Sequence, residues 1–334
     1  MLFRSVLLLA GLASSAVAVA DNHTTLTVYT QPSFAAEWGP GPAIKQAFET
    51  QCDCTLHYVA LESGGDILQR LRLEGASTNA DVVLGLDTGT METARQTGLL
   101  APHEISLDNL DLPIDWTDPL FVPYDYGYFA FVYDTQKLPN PPTSLEALIN
   151  APDDLKIIIE DPRTSTPGLG LLLWMRAVYG DKAGEKWQKL SHKILATTKS
   201  WSDGYFSLFM NGEAPMILSY STSPAYHMAV DKTDRYQAAR FDEGHYLQVE
   251  VAALVKSSEH KDLARDFLKF ILTPGFQQHI PLKNVMYPAT DLGDDLPAVF
   301  DRLIDPGKTL FIDPAVVAQN RKAWLNQWLN AMIQ

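Results

Sequence analysis

A run of hydroxyl-bearing residues at the start of an apolar helix is the first place where this sequence could bind a ligand. Residues 157–159 are isoleucines and predict a buried strand, and Pro167 opens an apolar helix that Gly180 ends. Ser165 and Thr166 lie between them, with Thr166 at the N-cap position. Because the first N–H groups of a helix have no partner within it, this loop either binds an anion such as phosphate or is a well-capped structural turn.

Aromatic residues stand at several other predicted turns. Trp38 follows the first strand, Trp201 opens a Trp-Ser-Asp turn, and Tyr220 and Tyr226 frame a hydroxyl-rich segment. A single aromatic residue is usually part of a core. Several at loop positions instead predict a surface on which a flat or cationic ring can stack.

An acid-bearing turn follows the second predicted strand. Residues 62–66 are Glu-Ser-Gly-Gly-Asp, so that either Glu62 or Asp66 could accept a hydrogen bond from a ring amine. The alternative, which the sequence favours, is that both acids only complement the positive end of the next helix.

Recognisable catalytic signatures are absent from the sequence. It contains no HExxH, GxSxG, Walker A or intact GxGxxG motif, and its eight histidines are scattered. The cysteines, Cys52 and Cys54, are too few for a thiolate metal site, and oxidation would close only a small ring of little stabilising value. We therefore expect no catalytic residue, no metal and no cofactor.

Strand and helix patterns alternate along the chain. This order predicts an α/β fold in which mostly parallel strands are flanked by helices. The predicted strands are 26–30, 56–61, 80–87, 156–159 and 216–221. Two helices are predicted to begin at Pro42 and at Pro167. The other predicted helices are 64–75, 144–150, 183–194, a segment near 205–211, 261–272 and 319–333.

Two extended runs, at residues 121–134 and 244–255, are long for one strand of one domain. We interpret them as crossings near 122–128 and 245–252 that join two lobes. The first lobe is then 21–121 plus about 250–288, and the second is about 122–249 plus 289–334. A length of 334 residues agrees with two domains.

The N-terminal segment has the pattern of a secretory signal peptide. Arg4 precedes an apolar run too short to span a membrane, and small residues end at Ala20, which predicts a signal peptide at residues 1–20 and export of the mature chain. The net charge of −14 becomes one unit more negative when Arg4 is removed. Such a charge argues against nucleic acid as a partner and suits a cationic ligand.

Four longer strings carry a resemblance to a known family. They are DPRTSTPGLGLLLWM at 161–175, FVPYDYGYFAFVYD at 121–134, SYSTSPAYH at 219–227 and EGHYLQVEVAA at 243–253. Together they resemble the periplasmic thiamine-binding proteins of bacterial ABC importers. The resemblance implies a monomeric, two-lobed, type II-like periplasmic binding protein. It would hold thiamine, thiamine monophosphate or thiamine diphosphate in the cleft and deliver it to a permease and its ATPase.

The family's binding residues carry over onto matching positions of this chain. By this resemblance Ser165 and Thr166 contact phosphate, and Trp201 stacks on a ring. The other implied ligand contacts are Trp38, Tyr220, Ser221, Thr222, Ser223 and Tyr226.

Two positions depart from the family pattern. Ser63 and Gly64 stand where the family often has Asp followed by Gly, so the carboxylate that accepts from the aminopyrimidine is missing there, and Glu62 or Asp66 would have to supply it. Gln31 stands where an aromatic residue is often found. The match is therefore stronger for the phosphate and thiazolium ends of the ligand than for the pyrimidine.

Two alternatives stay open at this point. One is a thiamine-degrading transferase of the same general fold, for which Cys52 or Cys54 would be the nucleophile. The other is a binding protein of the same fold for iron or another small anion, although the adjacent tyrosine pair expected of an iron binder is missing.

Overall fold

The computed structural model describes residues 23–333, so the predicted signal peptide at 1–20 lies outside the described residues. Its strands are β1 (Thr24–Thr30), β2 (Cys54–Ala60), β3 (Val82–Asp87), β4 (Leu100–Ala101), β5 (Phe121–Asp134), β6 (Ile157–Glu160), β7 (Ile194–Thr198), β8 (Met216–Tyr220), β9 (Tyr236–Ala238), β10 (His245–Val255), β11 (Tyr287–Pro288) and β12 (Thr309–Leu310).

The α-helices of the same residues are mostly short and lie between the strands. They are α1 (Pro32–Ala35), α2 (Gly41–Cys52), α3 (Gly64–Glu74), α4 (Met91–Arg95), α5 (Leu145–Ile149), α6 (Thr166–Tyr179), α7 (Ala183–Ser191), α8 (Ser223–Tyr226), α9 (Lys261–Ile271), α10 (Pro274–Gln277), α11 (Ile280–Lys283) and α12 (Pro314–Met332). Two π-helical segments, Asp203–Phe209 and His227–Asp231, follow β7 and α8.

One sheet runs through the molecule in the order β2-β1-β3-β10-β5-β8-β6-β7. The outer strands pair in parallel, β2 and β3 with β1 on one side, β7 and β8 with β6 on the other. The two long strands, β10 and β5, pair antiparallel with each other and with their outer neighbours. The prediction of an α/β fold with mostly parallel strands in each half is confirmed, whereas the residue limits of the lobes stay a prediction.

The long strands pass between two hydrophobic cores on one face of the sheet. One core takes Tyr124 from β5 and Ala252 from β10, and the other takes Phe129 and Tyr246 from the same two strands. A register shift between β5 and β10 beside Tyr124 lets Tyr124 and Phe129 share this face although they are five residues apart. Side chains otherwise alternate along the strands, and the residues of this face that lie between the cores belong to neither core. They are Asp125 and Gly127 on β5 and Gln248 and Glu250 on β10.

Three of the sequence predictions are wrong at element boundaries. The helix expected at 183–194 ends at Ser191, and the edge strand β7 follows it, with three β-branched residues among its five and an exposure that alternates along it. The N-cap of α6 is Ser165 and not Thr166. Helix α12 begins at Pro314 and not at 319, because Asp313 caps it by accepting from the backbone N–H of Ala315.

Two further observations concern the two cysteines and the possibility of a membrane-spanning helix. Cys52 and Cys54 form a disulfide at the turn between α2 and β2. Among the helices of residues 23–333, none has the length and apolar character needed to cross a bilayer.

Helix α6 lies against the sheet at a glycine. A Cβ atom added to Gly170 would stand 2.1 Å from Cε2 of Phe129, so only glycine permits this approach of helix to strand. Gly184, in helix α7, differs because a Cβ atom added to it would have no neighbouring described atom within 4 Å.

These two helical glycines give a matched pair of variants. Gly170→Ala is expected to lower the free energy of unfolding by about 1–3 kcal/mol, because the ring of Phe129 or the helix must shift. Gly184→Ala is expected to raise it by about 0.4–1 kcal/mol through the unfolded state. Urea unfolding of the ligand-free protein measures both, and equal changes would contradict the packing described.

A cleft lined by aromatic and acidic residues

The ends of parallel strands bring the predicted hydroxyl residues together. Strands β6 and β8 are parallel neighbours, with Ile158 opposite Ile217, so that the loops after them leave the same edge of the sheet. Ser165 follows β6 and Ser223 follows β8, and both are buried. The sequence-predicted segments around residues 165 and 220–223 therefore lie on one wall of the cleft.

A chain of hydrogen bonds fixes the indole of Trp201. Its Nε1–H donates to Ser219 Oγ at 2.8 Å, and Ser219 Oγ lies 2.8 Å from Ser223 Oγ. Ser223 Oγ also accepts from the backbone N–H of Tyr220 at 3.3 Å. The ring is stacked on Tyr205 at a centroid distance of 4.9 Å, and Trp201 is consequently held in one orientation.

Tyr220 extends from this wall of the cleft to the part of β10 that lies between the two hydrophobic cores. Its hydroxyl donates to Gln248 Oε1 at 3.0 Å, and its ring lies 5.1 Å from that of Phe129. Burial raises the pKa of the Tyr220 hydroxyl well above its usual range, and the negative charge of Glu250 raises it further. The phenol is therefore a fixed hydrogen-bond donor at the floor of the cleft.

The two walls meet where Thr166 contacts Asp87. Thr166 Oγ1 donates to Asp87 Oδ2 at 3.1 Å, which joins the start of α6 to the end of β3. A Cβ added to Gly89 would stand 2.9 Å from Leu169 Cδ2, so the walls are in close contact beside this bond. The N–H of Leu169 donates to the backbone oxygen of Ser165 and so belongs to the first turn of the helix.

The acid-bearing turn at residues 62–66 has a structural role in this conformation. Ser63 caps α3: its Oγ accepts from the backbone N–H of Asp66 at 3.2 Å and donates to Asp66 Oδ2 at 2.7 Å. A Cβ on Gly64 would stand 2.5 Å from the backbone oxygen of Gly85, so a glycine lets α3 approach β3. Glu62 and Asp66 are exposed, and ligand contacts for this turn stay a prediction.

Trp38 and Tyr226 are more exposed than the other predicted aromatic residues. The exposed fraction is 54% for Trp38 and 37% for Tyr226, whereas Trp201 is half-buried. Tyr226 touches only the edge of His227, at a centroid distance of 5.7 Å, among the described ring contacts. Their roles as ligand contacts stay predictions.

Buried polar atoms without a partner concentrate around the cleft. In the described chain these atoms have no hydrogen-bond partner in another residue: Thr30 Oγ1, Ser221 Oγ, Thr222 Oγ1, Gln248 Nε2 and both carboxylate oxygens of Glu160. Four further examples lie elsewhere in the described chain: the hydroxyl of Tyr179, Nε of Arg265, and the indole nitrogens of Trp187 and Trp328, which belong to one hydrophobic core. The concentration at strand ends and between the cores marks a place built for a polar ligand.

Three carboxylates form a row across the floor of the cleft, and sequence reasoning missed all of them. In the strand register, Glu250 of β10 lies opposite Asp87 of β3 on one side and opposite Asp125 of β5 on the other. All three are buried. The available signal was a single acid inside each apolar run, as in LQVEVAA and VLGLD, and only the register shows that these acids adjoin.

Neutral donors bond to one carboxylate oxygen each of Asp125 and Glu250. Asn284 Nδ2 donates to Asp125 Oδ2 at 2.6 Å and to Glu250 Oε2 at 3.2 Å, and the hydroxyl of Tyr124 donates to Glu250 Oε2 at 3.0 Å. Burial raises the pKa of Glu250 to about 7 and, together with the adjacent Glu250 charge, raises that of Asp125 well above its usual range. The pair therefore retains a proton near neutral pH.

A large open groove lies away from this cleft. It has a volume of about 520 Å³ and lies between α6, β12 and α12, lined by residues such as Arg176, Thr309 and Trp324. Beside the contact between Thr166 and Asp87 the free volume is only about 10 Å³. The open groove contains none of the acids or anchored aromatic residues that could recognise a ligand.

The chain matches the family model of the bacterial extracellular solute-binding proteins over residues 32–278. It belongs to that family. Among its relatives, the thiamine-binding periplasmic protein of Brucella suis biovar 1 (strain 1330) is 54% identical over 92% of both chains. The protein of the same name from Escherichia coli (strain K12) is 53% identical over 92% of this chain and 93% of its own.

Solved structures give the same fold for this solute-binding protein. A periplasmic thiamin binding protein superposes with a TM-score of 0.90 at 51% identity, covering 96% of this chain and 99% of its own. Iron-bound HitA from Pseudomonas aeruginosa has a TM-score of 0.76 at 19% identity, covering 92% of this chain and 99% of its own, which shows the fold alone. The fold class is therefore the two-lobed, type II-like periplasmic binding protein fold that the sequence predicts.

Glu160 yields a prediction about stability and pH. Burial raises the pKa of its carboxyl well above the ordinary value, so ionising it costs the folded protein more than the unfolded chain. Its contribution to stability is complete below the unfolded pKa and is lost as pH rises toward the folded pKa. We expect Glu160→Gln to lie within about 1 kcal/mol of the wild type at pH 5 and to be more stable by about 1–3 kcal/mol at pH 8.

Urea unfolding of the ligand-free proteins at both pH values is the measurement. The control is Glu185→Gln, which removes a charge from an exposed position of α7 and should leave the pH dependence unchanged. If the wild type and the Glu160→Gln variant lose the same free energy of unfolding between pH 5 and pH 8, the result would contradict the buried, unpaired state of Glu160.

Proposed function

We propose that this solute-binding protein captures thiamine in the periplasm and delivers it to an ABC importer. The observation that carries the proposal is identity of 53–54% over 92% of the chain with relatives named thiamine-binding periplasmic proteins. An alignment of 307 residues corresponds to most of the chain.

The chemistry of the cleft supports this ligand. Thiamine has two flat rings, of which the thiazolium carries a permanent positive charge. The anchored indole of Trp201 offers a face for stacking, and the floor carries the carboxyl groups of Asp87, Asp125 and Glu250. A cationic ring gains from both, whereas an anionic solute of the same size would be repelled by the floor.

We extend the proposal to the phosphate esters of thiamine at the start of α6. Ser165 and Thr166 are the first residues there, and α6 is 14 residues long, so its N-terminal end attracts negative charge. The hydroxyl of Thr166 bonds Asp87 in this conformation, and a phosphate would compete with that carboxylate for it. Thiamine monophosphate and diphosphate would then bind with their esters at this loop.

Binding would be accompanied by a hinge movement of the lobes. The bond between Thr166 and Asp87 is one contact that opening would break and closing would form. β5 and β10 are the strands that would bend, because they run through both hydrophobic cores. The closed form, with cargo intact, would be what the permease recognises.

A catalytic role receives no support from the cysteines. A thiol nucleophile would have to be Cys52 or Cys54, and these two form a disulfide. Cys54 is the first residue of β2, whereas the cleft lies beyond its last residue, Ala60, about 20 Å along the strand. Release of unmodified cargo is the behaviour proposed.

Calorimetric titration tests the proposed ligand directly. Thiamine should bind one to one and raise the thermal midpoint, and Trp201→Ala should weaken binding by about 0.5–2 kcal/mol through loss of the stacking face. Trp201→Phe, which keeps a ring against Tyr205, should lose less. Absence of both heat and thermal stabilisation with thiamine and with each phosphate ester would refute the function.

The phosphate loop is tested by a double variant, Ser165→Ala with Thr166→Ala. It should weaken thiamine monophosphate and diphosphate more than thiamine, with each lost charge-assisted bond worth about 1.5–3 kcal/mol. Thr164→Ala is the matched control, because its exposed hydroxyl donates to the backbone oxygen of Lys199. Equal losses for all three ligands would mean that the loop only starts the helix.

A further inference from the structure

No ion pair within the described chain joins the acids of the cleft floor to a cation, although Arg321 lies close enough to Asp87 to lower the pKa of its carboxyl. Asp87 accepts from the backbone N–H of Gly89 and from the hydroxyls of Thr90 and Thr166, all neutral donors. Among residues 23–333, Glu250 accepts from Tyr124 and Asn284, and Asp125 accepts from Asn284. Oδ1 of Asp125 has no N–H or hydroxyl donor among residues 23–333. A floor so rich in acid and so poor in cations is unusual for a buried site.

A second side chain on this floor points to a ligand independently of the acids. Gln248 precedes Glu250 by two residues on β10 and therefore shares its face. Its Oε1 accepts from Tyr220, which leaves the Nε2 donor buried and without a partner in the described chain. Opposite Gln248 stands Gly127, which adds no side chain to the floor.

We propose that the paired carboxyls of Asp125 and Glu250 bind the positively charged ring of an organic cation and release their shared proton when it binds. The inference rests on the proposed function, because the thiazolium of thiamine is such a cation. No covalent bond to the ligand forms. One carboxyl O–H bond breaks, the proton passes to the buffer, and the resulting carboxylate pairs with the cation.

Burial of the pair and the charge of Asp87 favour its protonated form, whereas the hydrogen bonds from Tyr124 and Asn284 favour its ionised form. Tyr124 faces it from β5, Asp87 from β3 and Tyr220 from β8. Arg321 of α12 is the nearby cation, and it acts on Asp87 at the far end of the row. Because desolvation and neighbouring acids raise the pKa values of the pair, a bound cation is the change that would lower them.

The proposal predicts proton release on thiamine binding. Titration calorimetry of the wild-type protein at pH 7 in PIPES and in Tris, two buffers without phosphate that differ in ionisation enthalpy, should show release of about one-half to one proton. The affinity for thiamine should rise about three- to tenfold between pH 6 and pH 7.5. Glu250→Gln, which keeps an oxygen for Tyr124, should reduce the release to less than half and flatten the pH dependence.

Failure of this inference differs from failure of the proposed function. Thiamine binding with the same heat in both buffers would overturn the inference and leave the function intact, whereas no binding would refute the function and the inference with it. Glu250→Gln releasing as many protons as the wild type would also overturn the assignment. The wild-type buffer series needs no variant to fold, and Glu185→Gln, an exposed change on α7, controls for net charge.

Discussion

The pairing of β5 with β10 is the constraint on which the rest of the molecule depends. Both strands leave one hydrophobic core and enter another, so the residues between the cores pack into neither. Apolar residues at those positions would join the cores, and a slip of one residue would turn the floor to the opposite face of the sheet. The register that sets Glu250 opposite Asp125 therefore decides both where the cleft lies and what charge its floor carries.

The walls of the cleft follow from the parallel outer strands. The carboxyl ends of parallel strands meet at one edge, so loops far apart in the chain become neighbours there. Trp201, Ser219 and Ser223 show the consequence: one hydrogen-bonded chain orients an indole from the loop after β7 against the end of β8. A ring held in this way needs little ordering when a ligand arrives, which reduces the entropic cost of binding.

The sequence predicts those parts of the fold and site that have a local cause. Hydroxyl and aromatic residues at strand ends, such as Ser165 and Tyr220, were found because turns and caps have short signatures. β7 was missed because an edge strand with alternating exposure looks like the end of a polar helix. The acids of the floor were missed for a different reason: Asp87, Asp125 and Glu250 adjoin only through strand register, which no short stretch of sequence encodes.

The buried acids explain how a chain of net charge −14 can be selective as well as acidic. Charges on the surface are screened within about 8 Å at physiological ionic strength, so the overall charge draws cations in but does not distinguish among them. The Asp125–Glu250 pair is shielded from solvent and remains tolerable there because it keeps a proton. A cation of the right shape can replace that proton, whereas a neutral or anionic solute cannot. The free-energy cost of burying the two acids is therefore offset only when such a cation binds.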